Sequence, residues 1–250
     1  MAMVEGAGVP LASVECGSGP AVLLVHGMAD RAVGWEATAS ALQAAGARTI
    51  AYDRRGYGDS GAPEPYERTT IEEQAEDAAA LLTALDASPA VVCGRDLGAL
   101  VCLDLCKRHR GLVRGAVVLD APVLQFSAAA AETLAAERLA LETALRDGGP
   151  EAGVDAWLDA RGEPADSPRR GRARADHVAV FADYGGLATW PVTRGELRAL
   201  TMPFAVLTSP GAARAVREAA DAVAGLVPGA RREEADDPAP AVRALLAEAA

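Results

Sequence analysis

The sequence predicts an α/β fold in which helices flank a mostly parallel central sheet and a helical segment interrupts the alternation late in the chain. Through the first half, short continuous apolar runs alternate with helical stretches, which is typical of parallel strands buried on both faces. The alternation stops after Pro122 and resumes near Phe204. With 250 residues, half of them hydrophobic, the chain is long enough to bury one sizeable core.

Five strands are predicted in the first half of the chain: Leu11–Glu15, Ala21–Val25, Ala47–Tyr52, Ala90–Cys93 and Gly115–Leu119. The helices between them are predicted near 34–45, from position 70 onward, and over Leu97–His109. The second of these has a clear start, because Thr70 and Glu73 have the spacing of a capping box. The segment Asp53–Gly61 is rich in Gly, Asp and Arg, which indicates a loop.

Residues 123–200 contain helical patterns and no predicted strand. One helix should end at Gly148–Gly149, and Pro150 should begin the next one. The polar segment Gly162–Arg174, rich in Arg, Pro and Gly, is predicted to be a loop.

The strand pattern resumes at Phe204–Leu207, and a helix near 212–225, a short segment at 230–237 and a helix near 239–249 follow. We therefore expect residues 1–122 and 201–250 to form the core and residues 123–200 to form a helical cap. Such a cap would lie over the carboxyl ends of the strands, where open α/β sheets bind their ligands.

The charge and the cysteine content exclude several classes of function. A net charge of −11 without a basic stripe disfavours nucleic acid and anionic membranes as partners. Cys93, Cys102 and Cys106 lie in apolar or helical stretches, where free buried thiols are the default. Since no Cys-x-x-Cys occurs and the three histidines are scattered, we expect no metal site and no cofactor.

The first residues lack the charged and apolar regions of a signal peptide, and no apolar run approaches 18 residues. We therefore expect a cytoplasmic protein that acts on a small-molecule or peptide-like substrate. The sequence leaves both a monomer and a homodimer open.

The most informative motif follows the strand Ala90–Cys93. It reads Gly94-Arg95-Asp96-Leu97-Gly98 and leads directly into a helix. In a nucleophile elbow of the form G-x-D-x-G, the central side chain projects from a strained turn, and glycines flank it because side chains there would clash. The N–H of Leu97 would then face a developing oxyanion.

Two further segments lie at strand ends. His26-Gly27 ends one buried strand, so the N–H of Met28 is the candidate second oxyanion donor. Together with the loop that begins at Asp53, the sequences LLVHG, YDRRGYGDSG and CGRDLG resemble the α/β-hydrolase family in order and spacing. The resemblance implies an α/β-hydrolase fold. It covers residues 9–122 well and the C-terminal part in outline.

Because its central residue is an aspartate, the elbow resembles that of the epoxide-hydrolase and haloalkane-dehalogenase branch of the family. The resemblance implies that Asp96 is the nucleophile, that it forms an ester by attacking carbon, and that an imidazole-activated water then hydrolyses the ester. Two departures stand against this mechanism. The loop Thr208–Ala212 contains no acid, and no histidine follows position 177. Loss of a general base typically costs on the order of 10²–10⁴ in rate.

Substitutes for the missing residues are few. Asp120, at the end of the strand Gly115–Leu119, is the candidate acid, and His177 in the predicted cap is the candidate base. A surface or interface position is the more ordinary interpretation of His177, and His26 fits a role in holding the loop around Gly27. Arg95 either pairs with the elbow aspartate or points away. The cap aromatics Trp157, Tyr184 and Trp190 are candidate pocket residues, or simply packing residues.

Three hypotheses of function follow. The leading one is non-hydrolytic acid/base chemistry at Asp96 on an organic metabolite, such as isomerisation, epimerisation, elimination or cyclisation in bacterial secondary metabolism, with the Met28 and Leu97 amides holding an anion. The second is an Asp-nucleophile hydrolase that resembles epoxide hydrolases or dehalogenases. The third is a ligand-binding pseudoenzyme.

Overall fold

The computed structural model describes residues 1–187, with only the backbone at position 187, and residues 190–248. These residues form one eight-stranded sheet in the order β1-β2-β4-β3-β5-β6-β7-β8. The two N-terminal strands pair antiparallel, and the six others pair parallel with one another. The strands are β1 (Ala2–Glu5), β2 (Pro10–Cys16), β3 (Ala21–Val25), β4 (Arg48–Tyr52), β5 (Ala90–Arg95), β6 (Val113–Leu119), β7 (Phe204–Thr208) and β8 (Arg231–Glu234).

Helices cover both faces of the sheet, as the apolar strands require. The helices are α1 (Glu36–Ala44), α2 (Ile71–Ala84), α3 (Leu97–Arg108), α4 (Ala130–Asp159), α5 (Pro168–Ala175), α6 (His177–Leu187), α7 (Arg194–Arg198), α8 (Arg214–Leu226) and α9 (Ala239–Glu248). Alternate residues of β3 enter two separate cores. Leu23 packs on the side of α2, α3 and α8, whereas Leu24 packs on the side of α1 and α9. The predicted α/β-hydrolase architecture is therefore confirmed.

The start of α2 shows how local sequence fixes an element. Thr70 adopts extended backbone, and its hydroxyl accepts a hydrogen bond from the Glu73 N–H at 3.1 Å. The Glu73 carboxylate accepts in return from the Thr70 N–H at 3.0 Å. Because this reciprocal pair satisfies two otherwise free amides, the helix begins at Ile71, as the sequence predicts. α2 then lies against α3, which carries the elbow.

The described part of the insert 123–200 is helical and contains no strand. The predicted break is confirmed, because Gly149 leaves helical geometry with φ 75° inside α4 and Pro150 follows it. The prediction of a loop over Gly162–Arg174 is wrong in its second half. α5 begins at Pro168, where the Ser167 hydroxyl caps the Arg169 N–H, a start signal hidden in a polar stretch. The division into core and cap stays a prediction.

The two edge strands of the sheet are only weakly indicated by the sequence pattern. No pattern predicts β1, which is an exposed strand that pairs with β2. The segment 230–237 contains β8, whose charged residues make up the opposite edge of the sheet. Charged side chains are typical of edge strands, since they discourage pairing with other chains. No helix among the described residues is long and apolar enough to cross a membrane.

The prediction for the cysteines is confirmed, since Cys93, Cys102 and Cys106 are buried free thiols. Burial raises the pKa of Cys93 and of Cys106 to about 12. These thiols therefore stay protonated and serve as small apolar packing groups.

The capping box gives a direct test of the fold. We expect Thr70→Ala to lower the free energy of unfolding by about 1 kcal/mol, because the Glu73 N–H loses its acceptor. Urea denaturation measures this change. The matched control is Thr83→Ala in the last turn of the same helix, where the hydroxyl donates only to the Ala79 carbonyl. The control should change stability by less than about 0.5 kcal/mol, and equal losses in both variants would contradict the capping role.

Candidate active site

The strand-to-helix turn after β5 has the geometry of an elbow. Asp96 adopts φ 52° and ψ −125°, a conformation that costs a non-glycine residue about 1–3 kcal/mol. The flanking glycines are required by close backbone approach. A Cβ atom on Gly94 would lie 2.2 Å from the Gly98 carbonyl oxygen, and one on Gly98 would lie 2.3 Å from the Val25 carbonyl oxygen. The Asp96 side chain is therefore held at the carboxyl edge of the sheet.

The Asp96 carboxylate already contacts one of the predicted oxyanion donors. The Met28 N–H donates to Asp96 Oδ2 at 3.1 Å. This differs from the expectation that the Met28 amide waits for an anion of the substrate. The N–H of Leu97, the first residue of α3, has no acceptor within its own helix. Oδ2 of Asp96 therefore accepts a hydrogen bond from the Met28 amide, whereas none of the described residues forms a hydrogen bond with Oδ1.

His26 is a structural residue. It is 1% exposed, and its Nε2 accepts from the Arg54 N–H at 2.9 Å. Nδ1 therefore carries the proton and donates to the Gly27 carbonyl at 2.8 Å. Burial, and then the nearby Arg54 cation, hold the pKa of His26 well below its ordinary value. A neutral imidazole with both nitrogens bonded to backbone holds the loop around Gly27 and does not serve as a base.

Asp120 is the neighbour of Asp96 in the sheet. The residues before them, Arg95 and Leu119, are register partners in β5 and β6, and the Asp96 N–H donates to the Leu119 carbonyl at 2.9 Å. Neighbouring strands are about 4.8 Å apart, so the two aspartates project from adjacent positions. Ser209 holds the Asp120 carboxylate through its N–H at 2.9 Å and its hydroxyl at 2.8 Å.

The charge state of Asp120 reflects its surroundings. Burial raises the pKa of Asp120 above its ordinary value, against the opposing effect of the Ser209 hydrogen bonds and of Arg95. Arg95 directs its guanidinium over the Trp35 ring, 5.1 Å from the centroid, and donates to the Asp236 carbonyl at 3.3 Å. Among the described residues, neither Asp96 nor Asp120 forms an ion pair within 4 Å.

A cavity of about 1370 Å³ lies over the two aspartates. Its described lining combines the aspartates with Arg95, Ser209 and apolar or aromatic residues of the insert and of α8, including Leu141, Trp157, Phe181, Tyr184, Trp190 and Val216. Burial raises the pKa of the Tyr184 phenol, which keeps its proton at neutral pH. The Trp157 indole N–H is buried and has no acceptor among the described residues. Apolar walls with a few polar groups are typical of small-molecule sites.

The histidines lie elsewhere. His177 begins α6, its Nδ1 lies 3.0 Å from the Arg174 carbonyl oxygen, and it is not among the described residues that line the cavity. His109 follows α3 and contacts Glu76 at 3.0 Å. His26 is buried, and both of its ring nitrogens form hydrogen bonds with backbone groups. None of the chain's three histidines is therefore among the lining residues described for the Asp96 cavity.

Arg169 is a site residue that the sequence did not reveal. It projects from α5 to the cavity wall and donates to the Met28 carbonyl at 2.8 Å and to the Ala29 carbonyl at 2.9 Å. Glu163 holds its guanidinium at 2.9 Å. Arg169 therefore fixes the loop that carries the Met28 amide. The polar composition of this segment predicts a loop, and only the Ser-Pro start of α5 indicates the helix that carries Arg169.

The chain matches one known family and several curated relatives. The sequence profile of the family described as alpha/beta hydrolase fold matches residues 20–146. The bifunctional epoxide hydrolase 2 of Sus scrofa is 37% identical over 117 residues, which are 47% of this chain and 21% of that protein. Epoxide hydrolase A of Mycobacterium tuberculosis is 36% identical over 124 residues, 49% of this chain and 38% of that protein. The chain thus spans less than two fifths of either relative's length.

Solved structures are similar over nearly the whole chain. An alpha/beta hydrolase from Sphaerobacter thermophilus has a TM-score of 0.79 and 22% identity, covering 98% of this chain and 100% of that one. The epoxide hydrolase VrEH1 from Vigna radiata has a TM-score of 0.76 and 20% identity, covering 99% and 97%. At this identity the likeness shows the fold alone.

The elbow glycine Gly98 can be tested by adding one methyl group. We expect Gly98→Ala to lower the free energy of unfolding by about 1–3 kcal/mol, because the new Cβ would meet the Val25 and His26 carbonyl oxygens at 2.3 and 2.4 Å. The control is Gly225→Ala in α8, where a Cβ meets nothing within 4 Å. Alanine suits a helix better than glycine, so urea denaturation should show no loss there. A Gly98→Ala protein as stable as the control would contradict the close contact.

Proposed function

Since the chain belongs to the alpha/beta hydrolase fold family, whose profile matches about half of its residues, we propose that it is an enzyme with Asp96 as a carbon-attacking nucleophile. Its substrate would be a small organic electrophile of the epoxide type. The observation that carries this proposal is the hydrogen bond of 3.1 Å from the Met28 N–H to Asp96 Oδ2. It holds one oxygen in the oxyanion position and leaves the other to attack.

The first step forms an ester. Asp96 Oδ1 attacks an epoxide carbon, that carbon's bond to the ring oxygen breaks, and the oxygen leaves as an alkoxide that takes up a proton. The protonated phenol of Tyr184, on the wall of the same cavity, is a suitable donor. Oδ2 becomes the carbonyl oxygen of the ester and remains at the Met28 N–H.

The second step hydrolyses the ester, and it needs a base other than histidine. Asp120 occupies the neighbouring strand position and lines the same cavity. Because burial raises its pKa, its carboxylate is a stronger base than an exposed aspartate. In this proposal Asp120 takes a proton from water, and the hydroxide attacks Cγ of Asp96. The negative charge forms on Oδ2, held by the Met28 and Leu97 amides. When the ester C–O bond breaks, the leaving alkoxide takes the proton that Asp120 gained, and the new Asp96 carboxylic acid returns a proton to the Tyr184 phenolate.

The similarity to epoxide hydrolases over nearly half of the chain supports the proposal that Asp96 is a nucleophile.

A second candidate is the non-hydrolytic acid/base chemistry at Asp96 on an organic metabolite. It is favoured by the observation that none of the three histidines is among the described lining residues of the cavity. In that case Asp96 would accept and return a proton without forming an ester. The two candidates differ in whether an intermediate is covalently attached to Asp96.

Trapping of that intermediate tests the nucleophilic role. On incubation with a panel of aryl and alkyl epoxides, we expect a peptide containing Asp96 to gain the mass of one epoxide, as measured by mass spectrometry. Asp96→Asn should form no adduct, because a neutral amide is a poor nucleophile, while still binding the probe. The control Asp147→Asn removes an exposed carboxylate of α4 and should react like the wild type.

No adduct at Asp96 across the panel would end the nucleophilic proposal. Turnover of a metabolite that Asp96→Asn abolishes, without any adduct, would instead support acid/base chemistry. Full turnover by Asp96→Asn would contradict both candidates.

The role of Asp120 is tested by the lifetime of the adduct. We expect Asp120→Asn to form the ester and to hydrolyse it on the order of 10²–10⁴ times more slowly, because the base is lost. Pulse labelling followed by mass spectrometry measures formation and decay separately. Ser209→Ala, which removes one hydrogen bond to Asp120, should have a smaller effect. Decay at the wild-type rate in Asp120→Asn would assign the base elsewhere.

A further inference from the structure

The peptide group between Gly27 and Met28 is held at both ends. Its N–H donates to Asp96 Oδ2 at 3.1 Å. Its carbonyl oxygen accepts from His26 Nδ1 at 2.8 Å and from Arg54 Nη2 at 3.0 Å. Because a peptide is one planar resonance unit, donors at the carbonyl oxygen polarise it and strengthen its N–H as a donor. The hydrogen bond that Asp96 Oδ2 accepts is therefore linked to groups behind the loop.

Arg54 is the central group of this arrangement. Its side chain is 1% exposed, and its Nε donates to the His26 carbonyl at 2.9 Å in addition to the bond to Gly27. Its backbone N–H fixes the tautomer of His26 through Nε2. Arg54 thus binds the carbonyls of His26 and Gly27 and the imidazole of His26. Arg54 follows Asp53 in the loop after β4, and it does not reach the cavity wall described above.

The charge of Arg54 is balanced by α6. Asp183 of that helix is fully buried and accepts from both terminal nitrogens of Arg54, at 2.7 and 3.1 Å. Gln74 and Tyr57 donate to the same carboxylate at 2.9 and 2.6 Å. Burial lowers the pKa of Arg54, but the Asp183 carboxylate outweighs this and raises it, so the guanidinium stays charged. A desolvated cation therefore lies at the carbonyl end of the Gly27–Met28 peptide.

We propose that Arg54 is a positioning residue for the reaction: it orients and polarises the Gly27–Met28 peptide, and Asp183 links that peptide to α6. The catalytic consequence rests on the proposed function, in which negative charge develops on Asp96 Oδ2 during ester hydrolysis. The hydrogen-bonded arrangement itself does not rest on it. The competing interpretation is a buried ion pair that only attaches α6 to the core, since such pairs also serve packing.

The chain offers a matched control beside Arg54. Arg55 is also buried and also pairs with a buried carboxylate, through Nε to Asp77 Oδ2 at 2.6 Å. Its guanidinium does not contact the Gly27–Met28 peptide in the described structure. Arg54→Lys and Arg55→Lys both keep the charge and lose the planar fork. They should cost similar stability, and they should differ at the Met28 amide.

The first measurement is the Met28 amide resonance in the ¹⁵N-labelled full chain, which needs no substrate. We expect Arg54→Lys to move this proton upfield, because the N–H becomes a weaker donor, and Arg55→Lys to leave it in place. If Arg54→Lys does not fold, Asp183→Asn takes its place, with Asp77→Asn as control. A Met28 resonance that responds equally to both members of a pair would overturn the proposal.

The second measurement is the lifetime of the adduct formed with the epoxide panel. Arg54→Lys should slow ester decay about tenfold and leave ester formation nearly unchanged, because the anion forms only in the second step. Arg55→Lys should keep both rates per folded molecule. Equal decay in the two variants would overturn the catalytic part of the proposal. A selective shift of the Met28 resonance without an adduct in any protein would support the positioning of the peptide and refute the nucleophilic function.

Discussion

The contact of Gly98 with the carboxyl end of β3 is the constraint on which the site depends. The first turn of α3 lies so close to the Val25 and His26 carbonyls that a single methyl group would overlap them. This closeness places the strand end that leads into Gly27 directly beside the elbow. The Met28 amide and the Asp96 carboxylate meet for that reason, and the positive φ of Asp96 is the conformational cost of the same packing.

The position of the Met28 amide decides how the elbow carboxylate can react. An amide that waits for the substrate would suit an enolate or a similar anion. Here the amide already binds Oδ2 of Asp96, so the anion it stabilises is one that forms on the aspartate itself. When water attacks an ester of Asp96, a tetrahedral oxyanion would form on Oδ2, whereas in proton transfer the same amide would bind the ordinary carboxylate. The contact supports the nucleophile proposed above, whereas the sequence pattern places acid/base chemistry at Asp96 first.

The sequence predicted those parts of the structure that short-range chemistry determines. The apolar run of β3, the capping box at Thr70 and the break at Gly149 each follow from a few neighbouring residues, and each is confirmed. The elbow was also predictable, because its glycines are required by steric contact. The contacts that complete the site were not. Arg169 reaches the Met28 carbonyl from 141 positions later in the chain, Asp183 reaches Arg54 from 129 positions later, and no local pattern marks either residue.

The distribution of ion pairs separates the groups that hold the fold from the groups available for chemistry. The buried arginines Arg54 and Arg55 each bind a buried aspartate, and leaving such a charge unpaired would be costly. In the part of the chain that the structure describes, Asp96 and Asp120 form no such pair, although they occupy adjacent strand positions and repel each other. A fold gains no stability from two neighbouring carboxylates without a cation. Their position at the cavity, on an elbow that is itself strained, fits the reaction proposed for them, in which one carboxylate is esterified and the other takes a proton from water.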